Sequence, residues 1–172
     1  MKKIITAAIL ILGLACATIF FIDFFKKPEP PQNGPKTPDT SREVLLYYYN
    51  PGNDKDDSGN VMCSRAGSVP VSRRIPATAT PIQDTIKLLL SGQLSESEKA
   101  SGITTEFPLP AFELIGANLE NNILTLEFSD SNNATSGGSC RAAILWYQIE
   151  ATAKQFPGVN EVRYIPETLF QP

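Results

Sequence analysis

Hydrophobic residues follow three different patterns along this chain. Residues 4–22 form an uncharged run of nineteen. At ~1.5 Å per residue such a helix measures roughly 28 Å, close to the ~30 Å hydrocarbon core of a bilayer. Beyond residue 42 the apolar positions fall into short units. Glu43-Val-Leu-Leu-Tyr-Tyr-Tyr49 is a β-prone run closed by Asn50-Pro51-Gly52, and residues 68–75 read as a second, weaker strand. Pro70 places that strand at a sheet edge or makes it a strand start. Thr80-Pro81-Ile82-Gln83 predicts a helix start, with Thr80 as cap, Pro81 in the first turn and Gln83 completing a capping box. Ile82, Ile86, Leu89 and Leu90 then share one face until Gly92. Ser95 and Glu98 predict a second capping box on a short helix ended by Gly102.

Residues 112–119 and 123–128 read as strands joined at Asn121-Asn122, whose side chains tolerate the positive φ of a tight hairpin. Leu124, Leu126 and Phe128 take one face; Thr125 and Glu127 take the other. Ser139 is expected to cap a long helix in which Ala142, Leu145, Trp146, Ile149, Ala153 and Phe156 recur at three- and four-residue spacing. Pro157-Gly158 closes it before a last strand at 159–165. The order β-β-α-(α)-β-β-α-β predicts an α+β two-layer sandwich, one mixed sheet with helices on one face.

Three segments follow. Residues 1–27 form an N-terminal transmembrane anchor or signal segment, with Lys2 and Lys3 before the apolar run and Lys26 and Lys27 after it. Cleavage at Ala15-Cys16-Ala17 would leave an apolar new terminus, and lipidation of Cys16 lacks a large aliphatic residue at the expected place, so an uncleaved anchor fits best. The lysines on both sides orient the helix only weakly. Residues 28–41 hold five prolines and no large apolar side chain, which makes a spacer. Residues 42–172 form the domain, with 10 Lys/Arg against 15 Asp/Glu. That balance lacks the basic footprint of a nucleic-acid binder. The chain has no histidine, which excludes His-dependent triads and His-metal sites.

Several stretches carry a family pattern: Arg73-Arg74-Ile75-Pro76, Leu89-Leu-Ser-Gly92, Glu98-Lys-Ala-Ser-Gly-Ile103, the strand from Leu124 to Ser129, and Gln155-Phe-Pro-Gly-Val159. In that order and spacing, over about residues 43–166, they resemble the GerMN domain family of sporulation and spore-germination proteins. The resemblance implies a βαββαβ-type fold related to the ring-building motifs of envelope assemblies, without established enzymatic activity.

Cys63 follows the first strand and Cys140 opens the long helix. In an exported domain such a pair joins as a disulfide; in a reducing cytosol it stays as free thiols. A bridge would close about 77 residues and place the domain outside the membrane. A helix N-terminus also lowers a thiol pKa, but Cys140 has no histidine to act as base. Asp54, Asp56, Ser58 and Gly59 imitate the start of a calcium loop, yet Arg65 stands where a bidentate glutamate belongs, which makes the segment a turn. Gly137-Gly138-Ser139 could seat an anion on helix N–H groups, but it lacks the lysine of a phosphate loop. Glu127 with Asp130, or Glu96 with Glu98, would be the carboxylate pairs of a glycosidase; Tyr47, Tyr48 and Tyr49 could stack on a glycan.

The expectation is therefore a non-enzymatic, membrane-anchored interaction module on the outer side of a bacterial membrane, with no cofactor or metal. Its partners are the membrane itself and an envelope protein, not nucleic acid or a small-molecule substrate. Arg73 and Arg74, beside the edge strand, are the candidate interaction face. The alternative is a domain that binds or hydrolyses cell-wall glycan.

Overall fold

The computed structural model describes residues 40–172. Residues 1–27, expected as the anchor or signal segment and including Cys16, and nearly all of the expected spacer at 28–41 lie outside the described residues. Among the described residues no helix is long and apolar enough to cross a membrane.

Two strands come first, β1 (Arg42–Tyr49) and β2 (Ser68–Ile75), then helices α1 (Pro81–Leu90) and α2 (Glu96–Ala100). Strands β3 (Phe112–Glu120) and β4 (Ile123–Asp130), the long helix α3 (Ser139–Lys154) and β5 (Glu161–Ile165) complete the chain. The order agrees with the periodicities. Asn121 and Asn122 take φ of 50° and 64° in the β3–β4 turn, and α2 carries the Ser95–Glu98 capping box. Gly92 ends α1 at φ +64°, where a Cβ would come within 1.8 Å of the Phe107 carbonyl oxygen. No other residue fits there.

The fold class is α+β, but the single mixed sheet is corrected to two sheets. β1 and β2 form an antiparallel pair; β3, β4 and β5 form a second sheet with β4 and β5 parallel. The reason lies at the free edge of β1. Gln155 accepts from Leu45 N at 2.7 Å and donates to Leu45 O at 2.6 Å, so one side-chain amide takes the place of a neighbouring strand residue. Thr152 Oγ1 accepts from Tyr47 N at 2.9 Å, and Thr104 bonds both N and O of Tyr49. These partners occupy Leu45, Tyr47 N and Tyr49, the stretch of edge that another strand would pair with. Tyr47 lies opposite Pro70, which has no N–H to give, so β2 tolerates its proline at the outer edge.

One core joins both sheets through α1 and α3. Val44, Leu46 and Tyr48 of β1, Ile86 and Leu89 of α1, Leu124, Leu126 and Phe128 of β4, and Leu145 and Ile149 of α3 are all buried in it. Three local expectations are corrected. Thr80 makes no cap to the backbone, because its hydroxyl goes to Asp84 Oδ2 at 3.2 Å. Gly138, not Ser139, holds the cap position of α3, since φ of 90° there suits only glycine. Trp146, read as core, is 40% exposed, because Tyr164 of β5 reaches its ring without burying it.

Candidate functional site

Buried Asp54 organises the long loop between β1 and β2. It accepts from Tyr49 Oη at 2.6 Å, Ser64 N at 2.6 Å and Ser64 Oγ at 2.5 Å. Burial works against its charge, but the bonds from Ser64 and Tyr49 prevail and hold the carboxyl below the usual range. Burial, with the anionic Asp54 as its acceptor, pushes the Tyr49 phenol far up. The remaining acidic residue of the apparent calcium loop is equally engaged: Asp56 accepts from Ser58 N, Asn60 N and Asn60 Nδ2. These oxygens hold a turn.

The same loop carries Cys63, joined to Cys140 in the first turn of α3, with Cα atoms 5.2 Å apart. Cys140 is thus no nucleophile. Just past the bridge, Arg65 lies over the Tyr147 ring at 4.3 Å and pairs with Glu150 at 2.5 Å. Lys154 also reaches Glu150, at 2.8 Å. Burial opposes the charge of Glu150, but Lys154 and Arg65 hold its pKa below the ordinary value. Trp146 stands beside this cluster, edge-on to Tyr164 with centroids 5.8 Å apart. Tyr164 continues inward to Phe128 and Phe170, so a run of rings links the exposed indole to the core. The Tyr164 hydroxyl is buried without a hydrogen-bond partner, and burial raises its pKa well above the usual phenol value.

Trp146 walls two shallow grooves. One, about 260 Å³, is lined by Arg65, Ser139 and Tyr147; the other, about 330 Å³, by Arg163, Tyr164, Glu167 and Gln171. Sequence reasoning missed Arg65 as a candidate. Its signal was its position one residue past Cys63-Ser64, which any bridge to the helix would bring over that helix.

The residues that sequence reasoning did single out are placed differently. Arg73 grips Glu98 with two bonds of 2.7 and 2.8 Å and donates to the Ser72 and Gln93 carbonyls, which ties β2 to α2. The Arg73 guanidinium is the main reason Glu98 titrates at about 2. Arg74 donates to Ser41 Oγ at 2.8 Å. The proposed carboxylate pairs are not assembled as pairs. Glu98 serves Arg73, Glu96 serves Lys99, Asp130 accepts from Ala134 N, Thr135 N and Thr135 Oγ1, and Glu127 is exposed. Tyr48 and Tyr49 are buried and Tyr47 half-buried, so they form no stacking platform. Arg141 fills the turn before α3 by donating to the Ala134 and Ser136 carbonyls. Among the described residues no acid–cysteine group is arranged to hold a metal ion.

Among the described residues nothing covers the outer face of the second sheet. Gly116 lies opposite Glu127 just past a bulge at Ile115, and Ile165 pairs with Glu127 from the other side. Ile115 and Ile165 are 54% and 48% exposed.

A family model described as Germane, sporulation and spore germination, matches residues 45–163. Among solved structures, the chain is similar to the tandem GerMN domains of the sporulation protein GerM from Bacillus subtilis. Identity is 19%, over 79% of this chain and 43% of that one, with a TM-score of 0.50. It also matches the first GerMN domain of that protein at 16% identity, over 73% of this chain and 86% of the other, with a TM-score of 0.43. The chain therefore spans less than half of the tandem structure. No curated protein matches it.

Proposed function

The chain belongs to the Germane family of sporulation and spore-germination domains, and from that premise we propose that residues 42–172 are a non-catalytic protein-interaction module. It acts outside the bacterial membrane, tethered by the 1–27 segment through the 28–41 spacer, as part of an envelope assembly. The observation that carries this reading is the sheet face that the described residues leave uncovered, where Glu127 lies between Gly116 and Ile165 and the bulged Ile115 stands exposed beside Gly116. Two large aliphatic side chains held in water on a sheet cost free energy that a covering partner recovers, and a flanking charge limits which partner does so. The Cys63–Cys140 bond supports the compartment, because such bonds persist where the environment is oxidising. Of the carboxylates named for a hydrolase, Glu96 and Glu98 are held in ion pairs and Asp130 in a turn, while Glu127 stands by itself on the sheet face.

The test replaces both isoleucines, Ile115→Asp with Ile165→Asp, in the full chain extracted from membranes in mild detergent. Wild type is expected to migrate on a native gel within a complex larger than itself, and the double variant to migrate alone. Identical migration of the two chains would overturn the reading.

A further inference from the structure

Trp146 invites a second question, because it belongs to neither the core nor the sheet face. It is the chain's single tryptophan, it is 40% exposed, and it lines a groove on each side. A ring that walls two grooves offers a surface to both. The polar groups around it have a particular character. Arg65 shares Glu150 with Lys154, and Arg163 pairs with Glu161 at 2.7 Å. The three cations Arg65, Lys154 and Arg163 are thus balanced by Glu150, Glu161 and Glu167, while most of the N–H donors of each guanidinium stay available. Glu167 and Gln171 add acceptors beside the second groove.

That combination selects a ligand chemistry. A phosphorylated or strongly anionic ligand would need an excess of cations, which the three carboxylates among these groups deny it. A protein partner of ordinary size buries about 800 Å² per side, more than two grooves of this size around one ring provide. A pyranose chain fits better. Its axial C–H groups form an apolar, weakly positive face that suits the electron-rich face of an indole. Its hydroxyls need donors and acceptors in equal measure and no net charge, which paired Arg–Glu groups supply.

We propose that Trp146, with Arg65 and Arg163 on its two sides, is a binding site for an uncharged pyranose oligosaccharide. Trp146 is the stacking platform. Arg65 is held at the site by the neighbouring disulfide and by its place over Tyr147, so it meets the ligand without first being ordered. The proposal goes beyond the protein-interaction reading and uses other side chains than Ile115 and Ile165, so either can fail without the other.

The single tryptophan makes the test direct. The full chain in detergent is titrated with chitotetraose and, separately, with cellotetraose, while the emission of Trp146 and its quenching by acrylamide are followed. Saturable protection from quenching by at least one of the two is expected, and a preference between them shows whether acetamido groups are read. Calorimetry with the better sugar should then show Trp146→Ala weakening binding about tenfold or more, as for loss of one stacked ring, with Trp146→Phe retaining much of the affinity. Arg65→Ala should weaken it severalfold. If Trp146→Ala loses its far-ultraviolet circular dichroism, Trp146→Phe and Arg65→Ala decide the matter. No protection by either sugar up to roughly 10 mM, a range that covers ordinary weak binding, would overturn the proposal. So would wild-type affinity in Trp146→Ala, or tighter binding of heparin than of both tetrasaccharides.

Discussion

Arg73 and Arg65 show what placement does to one residue type. Arg73 has a side chain only 24% exposed; its fork closes on both oxygens of Glu98, and two carbonyls take further donors. Arg65 has a side chain 62% exposed, lies over Tyr147 and gives one guanidinium nitrogen to Glu150. A guanidinium whose donors are consumed by its own fold can only hold that fold together. One supported from below by a ring, with donors left over, can meet something else. The first region is a joint between β2 and α2. The second is a surface.

The largest way to break this contrast is to cut the bridge that holds the Arg65 side. Cys63→Ser with Cys140→Ser should lower the unfolding free energy in urea by about 4–5 kcal/mol, the chain-entropy expectation for a loop of this length. Hydrogen exchange should speed up at residues 54–67 while α2 stays protected. Next comes Asp54→Ala, which strands three donors, two on Ser64 and one on Tyr49. A loss of about 2–4 kcal/mol is expected from a buried network left unsatisfied, checked by the same denaturation.

The Arg73 side should respond to acid. Glu98 titrates at about 2 in the fold, below the ~4.3 of an unfolded glutamate. The unfolded chain therefore binds this proton first as pH falls. The stabilisation is fully present above about pH 5 and is lost between there and pH 2. Glu98→Gln should cost about 1–2 kcal/mol at pH 7, after screening at this partly exposed site, and little at pH 2. Equal cost at both pH values would remove the ion pair from the account. The smallest expected change is Arg65→Ala, within about 0.5 kcal/mol of wild type, as for an exposed pair. A much larger loss would make Arg65 structural and erase the contrast.

Local chemistry was the legible part of the sequence. The Ser95–Glu98 capping box, the Asn121-Asn122 turn, the alternation of Leu124, Leu126 and Phe128, and the stop at Gly92 are set by neighbouring residues, and all appear in the structure. Contacts between distant residues were illegible. Gln155 closes the edge of β1 from 110 residues away, and nothing near either residue announces it, so one sheet was expected where two exist. Helical spacing marked Trp146 as core because spacing gives a face and not what covers that face. The Arg73-Arg74 pair looked like a surface because two adjacent charges normally are one; Glu98, on another element, takes the first of them.

The account rests most heavily on the Cys63–Cys140 bond, which both supports the proposed compartment and holds Arg65 in place. Its most direct test is alkylation on intact cells with a membrane-impermeant maleimide, before and after an impermeant reductant, read by mass spectrometry of the two cysteine-containing peptides. The account predicts no label on either cysteine before reduction and label on both afterwards. Label without reductant, or none after it while detergent-permeabilised cells label freely, would contradict it.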